Sequence, residues 1–243
     1  MGKLQNAPLI EVIFEVKWDV NLKSDLIDFQ YLHGDLYSSI KNKYPFRENL
    51  TPPEIPFEAL KGLPVFRFRE TNNSYPLIQI GPGVITINML NDKYIWGNFQ
   101  NTIHEVIDIL NTIYPKIKTI KLKPALAYID FVRIDKKLTN SIDFINQNLN
   151  ININNNILTD TQTIVSDINF TVNYKIKEDV LSLNITDGQI NNTTDGIILQ
   201  TKVIGANISN ENNELKTWLE NSHDLSSKTF KSIIKESLYN TFK

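Results

Sequence analysis

The chain has no cysteine among its 243 residues. Without a thiol it can form no disulfide, no thiolate nucleophile and none of the zinc or iron–sulfur sites that use cysteine ligands. Its three histidines, His33, His104 and His223, are far apart in the sequence, so no local metal-ligand spacing exists. The sequence therefore predicts no metal site and no cofactor.

Strong net charge and long apolar runs are also missing. The formal net charge is −2, so bulk charge points neither to nucleic acid nor to anionic lipid. No apolar run reaches the roughly 18 residues of a membrane-spanning helix, and no signal-peptide pattern opens the chain. We expect a cytoplasmic protein without a membrane partner.

Familiar catalytic motifs are absent as well. Gly81-Pro82-Gly83 is a tight turn with no following lysine to hold a phosphate, and no Walker loop occurs elsewhere. None of the histidines belongs to a Ser/His/Asp motif. We assign no catalytic residues, and the sequence favours a protein that is not an enzyme.

The segment 6–18 is typical of a half-buried strand, because apolar residues recur at every second position. Glu11 and Glu15 lie on the other, wetter side of the same strand. The apolar residues of the first side are Ile10, Val12, Phe14, Val16 and Trp18.

Hydrophobic periodicity then predicts the same order of elements twice. The first half should contain a strand at 10–18, a helix between 24 and 45, strands at 65–69, 77–80 and 84–89, and a helix from 98. The second half should contain a strand at 120–134, a helix at 142–149, strands at 164–174, 180–185 and 197–204, and a helical end over 215–238.

This order predicts an α+β protein built from two β-α-β-β-β-α units, residues 1–116 and 117–243, in one continuous globular domain. The two units should form a broad, mainly antiparallel sheet with the helices packed on one face. Residues 146–156 are rich in asparagine and are typical of a polar surface loop, with a short edge strand as the alternative.

Two carboxylates and three guanidinium groups lie on the predicted strands. We expect Glu11 and Glu15 to form ion pairs with Arg67, Arg69 or Arg133 across neighbouring strands. General acid–base catalysis by the two glutamates is the alternative, although their predicted separation is larger than that of paired glycosidase carboxylates.

A basic surface with an aromatic residue is a second candidate site. Arg67, Arg69 and Arg133, together with Tyr128, could form a sheet surface that stacks and binds RNA or single-stranded DNA. No RNA-binding consensus motif accompanies them, so an ordinary solvated sheet face is the favoured interpretation.

The strand around Tyr128 is apolar on both sides, which places it near the centre of the sheet. Asp130 and Arg133 in this strand need partners, and structural pairing is favoured over catalysis. His223 lies between two parts of the terminal helical region and is predicted to cap carbonyl groups at a helix end.

The chain resembles a sporadically distributed family of bacterial proteins that begin with an N-A-P-[LIV]-x-E strand motif. The family usually has Arg and Asn at the positions of Ala127 and Asp130, so no role of that arginine is carried over. The residues that carry the resemblance are Asn6-Ala7-Pro8-Leu9, Glu11, Gln79-Ile80-Gly81-Pro82, Tyr94, Trp96, Phe99, Ala127-Tyr128-Ile129-Asp130, His223 and Phe230.

The patchy distribution of this family resembles that of genes in mobile defence or toxin–antitoxin loci. The resemblance implies a non-enzymatic partner protein, such as an immunity, antitoxin-like or accessory subunit whose protein partner is encoded nearby. Two alternatives stay open: an RNA or single-stranded DNA binding or processing module, and a small-ligand binder with a cavity between sheet and helices. A homo-oligomer is compatible with each of them.

Overall fold

The computed structural model describes residues 4–154, 165–209 and 214–243. Within them, nine strands form one sheet in which all neighbouring strands run antiparallel, and helices cover one of its faces. The predicted α+β fold class, with a broad antiparallel sheet, is confirmed. The division at residue 116 within one domain stays a prediction.

The elements follow the predicted order, with one additional strand in the first half. The strands are β1 Leu9–Trp18, β2 Phe46–Asn49, β3 Phe66–Arg69, β4 Leu77–Gly81, β5 Val84–Leu90, β6 Leu122–Arg133, β7 Asn169–Ile176, β8 Asp179–Ile190 and β9 Thr194–Ile204. The α-helices are α1 Lys23–Ile40, α2 Trp96–Ile113, α3 Ser141–Asn148, α4 Glu214–Ile233 and α5 Glu236–Asn240.

The spatial order of the strands is β2-β3-β4-β5-β1-β6-β9-β8-β7. In each half the first strand lies beside the last one, so β1 pairs with β5 and β6 pairs with β9. The two halves meet where β1 pairs with β6. Residues of the middle strands are therefore held by strands on both sides.

The core lies between the sheet and the helices. Val12, Phe14 and Val16 of β1 have no exposed surface, as the period-two pattern predicts. Apolar stripes of α1, α2 and the start of α4 pack over this part of the sheet. A second apolar cluster lies under α3, the end of α4 and α5. Burial of these side chains is the main stabilising contribution.

Three sequence predictions need correction. The strand β2 was not predicted, because its four residues, Phe-Arg-Glu-Asn, are short and half polar. The terminal helical region contains the long helix α4 without an interruption at residue 223. The segment 146–156 is not simply a surface loop, since α3 ends at Asn148 and Leu149 is buried beside Ile234.

Two other predictions fall partly outside the described residues. The strand predicted at 164–174 begins at Asn169 in the described part of the chain, and residue 164 is not described. The end of the asparagine-rich segment, residues 155 and 156, likewise lies outside the described ranges.

A β-bulge interrupts the pairing of β1 with β6. Leu9 pairs with Asp130 and Glu11 pairs with Ile129, so Ile10 is one residue too many on β1. Because the bulge shifts the alternation by one residue, Leu9 turns to the helix-covered face, while Glu11 stays on the open face. The sequence pattern had placed Ile10 in the buried row.

None of the helices in the described ranges is both long and apolar enough to cross a membrane.

Two glycines allow a test of the packing around β4. A Cβ atom on Gly81 would lie 1.8 Å from the carbonyl oxygen of Leu63, whereas one on Gly34 in α1 would meet nothing within 4 Å. We expect Gly81→Ala to lower the free energy of unfolding by about 2 kcal/mol or more, because the backbone must move. Gly34→Ala should raise it by about 0.5–1 kcal/mol.

Urea denaturation followed by circular dichroism measures both changes. Equal stability of the two variants would contradict the close approach of residues 63 and 81.

Candidate functional site

A cavity of about 160 Å³ lies between the sheet and α4. Its polar lining comes from β6, from β9, from α4 and from the loop that follows β5. Its apolar wall comes largely from the segment that precedes and begins β1. The lining residues are Leu4, Ala7, Pro8, Leu9, Tyr94, Tyr128, Asp130, Thr201, His223, Ser226, Ser227 and Phe230.

The strand β6 positions two polar residues on the helix-covered face. Residues 126, 128, 130 and 132 point to this face because side chains alternate along a strand. Leu126 and Val132 are buried there, and Tyr128 and Asp130 lie between them. On β9, Thr201 is the partner of Tyr128, so it joins the same row.

The helix α4 covers this row with small residues. Leu215 and Leu219 lead a buried stripe that continues at helical spacing with Ser222 and Ser226. A serine fills less volume than the leucines before it. The cavity therefore opens where the stripe changes from leucine to serine.

A hydrogen-bonded chain crosses the cavity. The hydroxyl groups of Tyr94 and Tyr128 are 3.0 Å apart, and the Tyr128 hydroxyl lies 2.7 Å from Nδ1 of His223. The imidazole ring of His223 stacks on the Trp96 indole, with ring centroids 3.8 Å apart and 7° between the planes. Stacking on one side and a hydrogen bond on the other fix the orientation of the imidazole.

Burial sets the protonation of this chain. It raises the pKa of Tyr94 to about 12 and raises the pKa of Tyr128 well above its usual value, so both phenols stay protonated near neutral pH. Burial also lowers the pKa of His223, which favours the neutral imidazole. The three groups thus offer neutral donors and acceptors to the cavity.

The carboxyl group of Asp130 is the most unusual feature of the site. Asp130 is 5% exposed, and within the described residues its carboxyl group makes no hydrogen bond or ion pair. Burial raises its pKa to about 7. In the described part of the chain no cationic side chain reaches Asp130, so the structural pairing expected for it is not found there and stays a prediction.

Ser226 adds a second unsatisfied polar atom to the same cavity. Its Oγ atom is buried and has no hydrogen-bond partner. Buried polar atoms in folded proteins nearly always have a partner. The Ser226 Oγ is fully covered, whereas the Asp130 carboxyl group keeps some surface toward the cavity and is the group that a bound molecule would contact.

A second cavity, of about 290 Å³, adjoins the first along α4. It shares Leu4, Leu9, Tyr94, His223 and Phe230 with the inner cavity, together with two small residues. Its remaining lining residues are Asn91, Ile95, Trp96, Lys231 and Tyr239. The shared wall makes the two cavities one cleft with a polar inner end and an outer end beside Trp96.

The size and lining of the inner cavity suit a small organic molecule. An engineered apolar cavity of about 150 Å³ binds benzene, so this one has room for a single ring. A metal ion is poorly served, because the described residues contain no group of three His, Cys, Asp or Glu side chains that could hold one. Asp130 and His223 are the two such residues that line this cavity.

The structure separates the predicted site residues into two groups. Tyr128, Asp130 and His223 come together at the cavity. The other predicted residues lie on the opposite, open face of the sheet, because their register places them in rows with Ala125, Ile129 or Gly196. These residues are Glu11, Glu15, Arg67, Arg69 and Arg133.

The alternative of one surface that combines Arg67, Arg69 and Arg133 with Tyr128 is therefore wrong. Tyr128 and Arg133 are five positions apart in one strand, so their side chains point to opposite faces. A stacking surface on the open face would have to work without Tyr128.

The predicted ion pairs of the two glutamates are also wrong. The Arg69 Nε atom lies 3.1 Å from Glu48 of the unpredicted strand β2, and an Arg67 nitrogen lies 3.7 Å from the same carboxylate. Glu11 instead accepts a 2.7 Å hydrogen bond from Asn88. Glu15 lies 3.5 Å from Lys17 on its own strand.

His223 is not a helix cap, because α4 continues for ten residues beyond it. The prediction failed since polar residues around 223 suggested a break. Thr201 and Ser226 were not predicted at all. Each interrupts an apolar row, Thr201 between Leu199 and Val203, and this interruption is the signal that the sequence offers.

No family model, no curated protein and no solved structure matches this chain. The resemblance to a bacterial family therefore stays a prediction, and the geometry of the cavity carries the functional argument.

The raised pKa of Asp130 predicts a pH-dependent stability. Between the usual Asp pKa near 3.8 and about 7, the folded protein keeps a proton that the unfolded chain has released, so stability falls as pH rises through this window. Asp130→Asn removes this effect. Between pH 4 and pH 8, the free energy of unfolding of the variant should rise relative to the unsubstituted protein by up to about 4 kcal/mol.

Urea denaturation at several pH values measures the difference between the two proteins. Glu54→Gln, which removes one exposed carboxylate that does not line the cavity, reports the effect of net charge alone. The free energies of unfolding of Asp130→Asn and of the unsubstituted protein could instead differ by the same amount at every pH. This result would contradict the burial of an unpaired carboxyl group.

Proposed function

We propose that this protein binds a small organic molecule in the cavity between the sheet and α4. The observation that carries the proposal is the unpaired, buried carboxyl group of Asp130 at the inner end of a largely apolar cleft. Small-molecule sites are typically concave and apolar, with a few polar groups that fix the orientation of the ligand.

A packing defect is a poor explanation of this cavity. Protein interiors are close-packed, and empty cavities in them are normally apolar. Here the Asp130 carboxyl and the Ser226 hydroxyl line the cavity without partners in the described part of the chain. Keeping the Asp130 carboxyl group without a partner costs stability, which a ligand that hydrogen-bonds to it would restore.

The arrangement of the cleft also suits ligand entry from one end. The outer cavity lies beside Trp96 and the half-buried ring of His223. A molecule that enters there passes the imidazole before its polar end reaches Asp130. His223 and the two tyrosines then offer neutral hydrogen-bonding groups along its path.

The protein-partner role implied by the family resemblance stays a separate prediction. It is compatible with ligand binding, because an accessory subunit can respond to a small molecule. Nucleic-acid binding on the open face is less favoured, since Arg67 is engaged by Glu48 and Gln79, and Tyr128 faces the cavity.

Filling the cavity tests the proposal. Ser226→Leu places an apolar side chain where the unsatisfied hydroxyl lies, so it should abolish ligand binding while the fold is retained. Ser232→Leu is the matched control, because Ser232 is exposed on the same helix. Ligand-observed NMR with a library of single-ring fragments measures binding to the unsubstituted protein and to both variants.

Fragments that bind the unsubstituted protein and Ser232→Leu but not Ser226→Leu would support the cavity as the binding site. Fragments that bind all three proteins equally, or a library without a single binder, would refute it.

A further inference from the structure

We propose that the ligand of this cavity carries a protonated amine, and that its ammonium group pairs with the Asp130 carboxylate. This inference rests on the proposed function and narrows the class of ligand. It is drawn from the charge, the donor and acceptor inventory and the size of the inner cavity.

The charge of the lining favours a cation. Among the described residues that line the inner cavity, Asp130 is the one acidic side chain, and none is a lysine or an arginine. A ligand with a carboxylate or phosphate would bring a second negative charge next to Asp130, at a large cost in a region of low dielectric. A neutral ligand would leave the carboxylate without a counterion.

An organic cation fits the site better than a metal ion. A divalent cation needs several oxygen or nitrogen ligands around it, and the described residues supply too few. The other side of the cavity is apolar, with Pro8, Leu9 and Phe230. A molecule with a hydrocarbon group and an ammonium group at one end can contact the apolar side with the former and Asp130 with the latter.

The hydrogen-bonding groups favour a primary amine. An alkylammonium ion has three N–H donors and no acceptor. The inner cavity offers the Asp130 carboxylate together with the hydroxyl oxygen of Thr201. A quaternary ammonium ion has no N–H group and would leave these acceptors unsatisfied.

The volume of the inner cavity limits the hydrocarbon part. A cavity of about 160 Å³ matches the size that accommodates one benzene ring. A ligand of roughly six to nine non-hydrogen atoms, with an aromatic or branched aliphatic group, therefore fits the inner cavity. A longer molecule would extend into the outer cavity beside Trp96.

Three probes of similar size, each with one benzene ring, test the charge requirement. Isothermal titration calorimetry at pH 8 compares benzylammonium, benzyl alcohol and benzoate on the unsubstituted protein. Benzylammonium should bind at least about tenfold more tightly than benzyl alcohol. A tenfold difference in affinity corresponds to about 1.4 kcal/mol, and close charge pairs at interfaces contribute about 1.5 kcal/mol or more. Benzoate should bind most weakly. Equal affinities, or tighter binding of benzoate, would overturn the proposal.

Asp130→Asn tests the role of the carboxylate with almost no change in shape. Its affinity for benzylammonium should fall by about tenfold or more, to that for benzyl alcohol, while the affinity for benzyl alcohol changes little. Asp224→Asn, which removes an exposed carboxylate from α4, should bind benzylammonium unchanged. Benzylammonium that binds Asp130→Asn as tightly as the unsubstituted protein would refute the pairing. If Asp130→Asn does not fold, the comparison of the three probes on the unsubstituted protein still tests the proposal.

The two proposals fail in different ways. Suppose that benzyl alcohol binds the unsubstituted protein as tightly as benzylammonium does, and that Ser226→Leu abolishes this binding. The cavity would then stay the binding site, and the proposal that the ligand is an amine would be refuted. Lys3, outside the described residues, carries an ammonium group of its own, so the probes are repeated on Lys3→Gln. Unchanged selectivity supports an external amine, and selectivity that appears only in Lys3→Gln would overturn the proposal.

Discussion

The antiparallel pairing of β1 with β6 is the interaction on which the rest of the structure depends. It joins the five strands of the first half to the four strands of the second half. Val12, Phe14 and Val16 of β1 place the buried core on the helix-covered face of this pair. The bulge at Ile10 belongs to the same pairing and turns Leu9 toward Asp130. The fold and the candidate site therefore share one set of backbone hydrogen bonds.

The candidate site lowers the stability of the folded protein, because it contains a buried carboxyl group. The Asp130 carboxyl group is 95% buried and has no partner among the residues that the structure describes, so burial disfavours its ionised form and raises its pKa. The large apolar core on both sides of the cavity offsets the cost. A molecule that binds only the folded protein and pairs with the carboxylate would stabilise the fold by mass action. Stability and ligand binding are coupled through one side chain.

Sequence periodicity predicted much of the fold and less of the site. The alternation in β1 and β6 and the stripes of α1, α2 and α4 predicted the elements, because burial on one face leaves a regular pattern. The same alternation shows that Tyr128 and Arg133 cannot share one face of the sheet, since they are five residues apart in one strand. The bulge at Ile10 and the strand β2 were not predictable, because backbone irregularity and tertiary pairing set them. Asp130 was singled out, but its lack of a partner depends on strands and helices that are distant in sequence.

The proposed ligand site depends on the Asp130 carboxyl group, which has no partner within the described ranges of the chain. The most direct measurement is an NMR titration of the side-chain carboxyl carbon of Asp130, assigned by comparison with Asp130→Asn. We expect a midpoint near pH 7, because burial raises the pKa of Asp130 to about 7. A midpoint near the ordinary value of about 4 would show that the carboxyl group is hydrated or paired, which is incompatible with a buried carboxyl group that awaits a ligand.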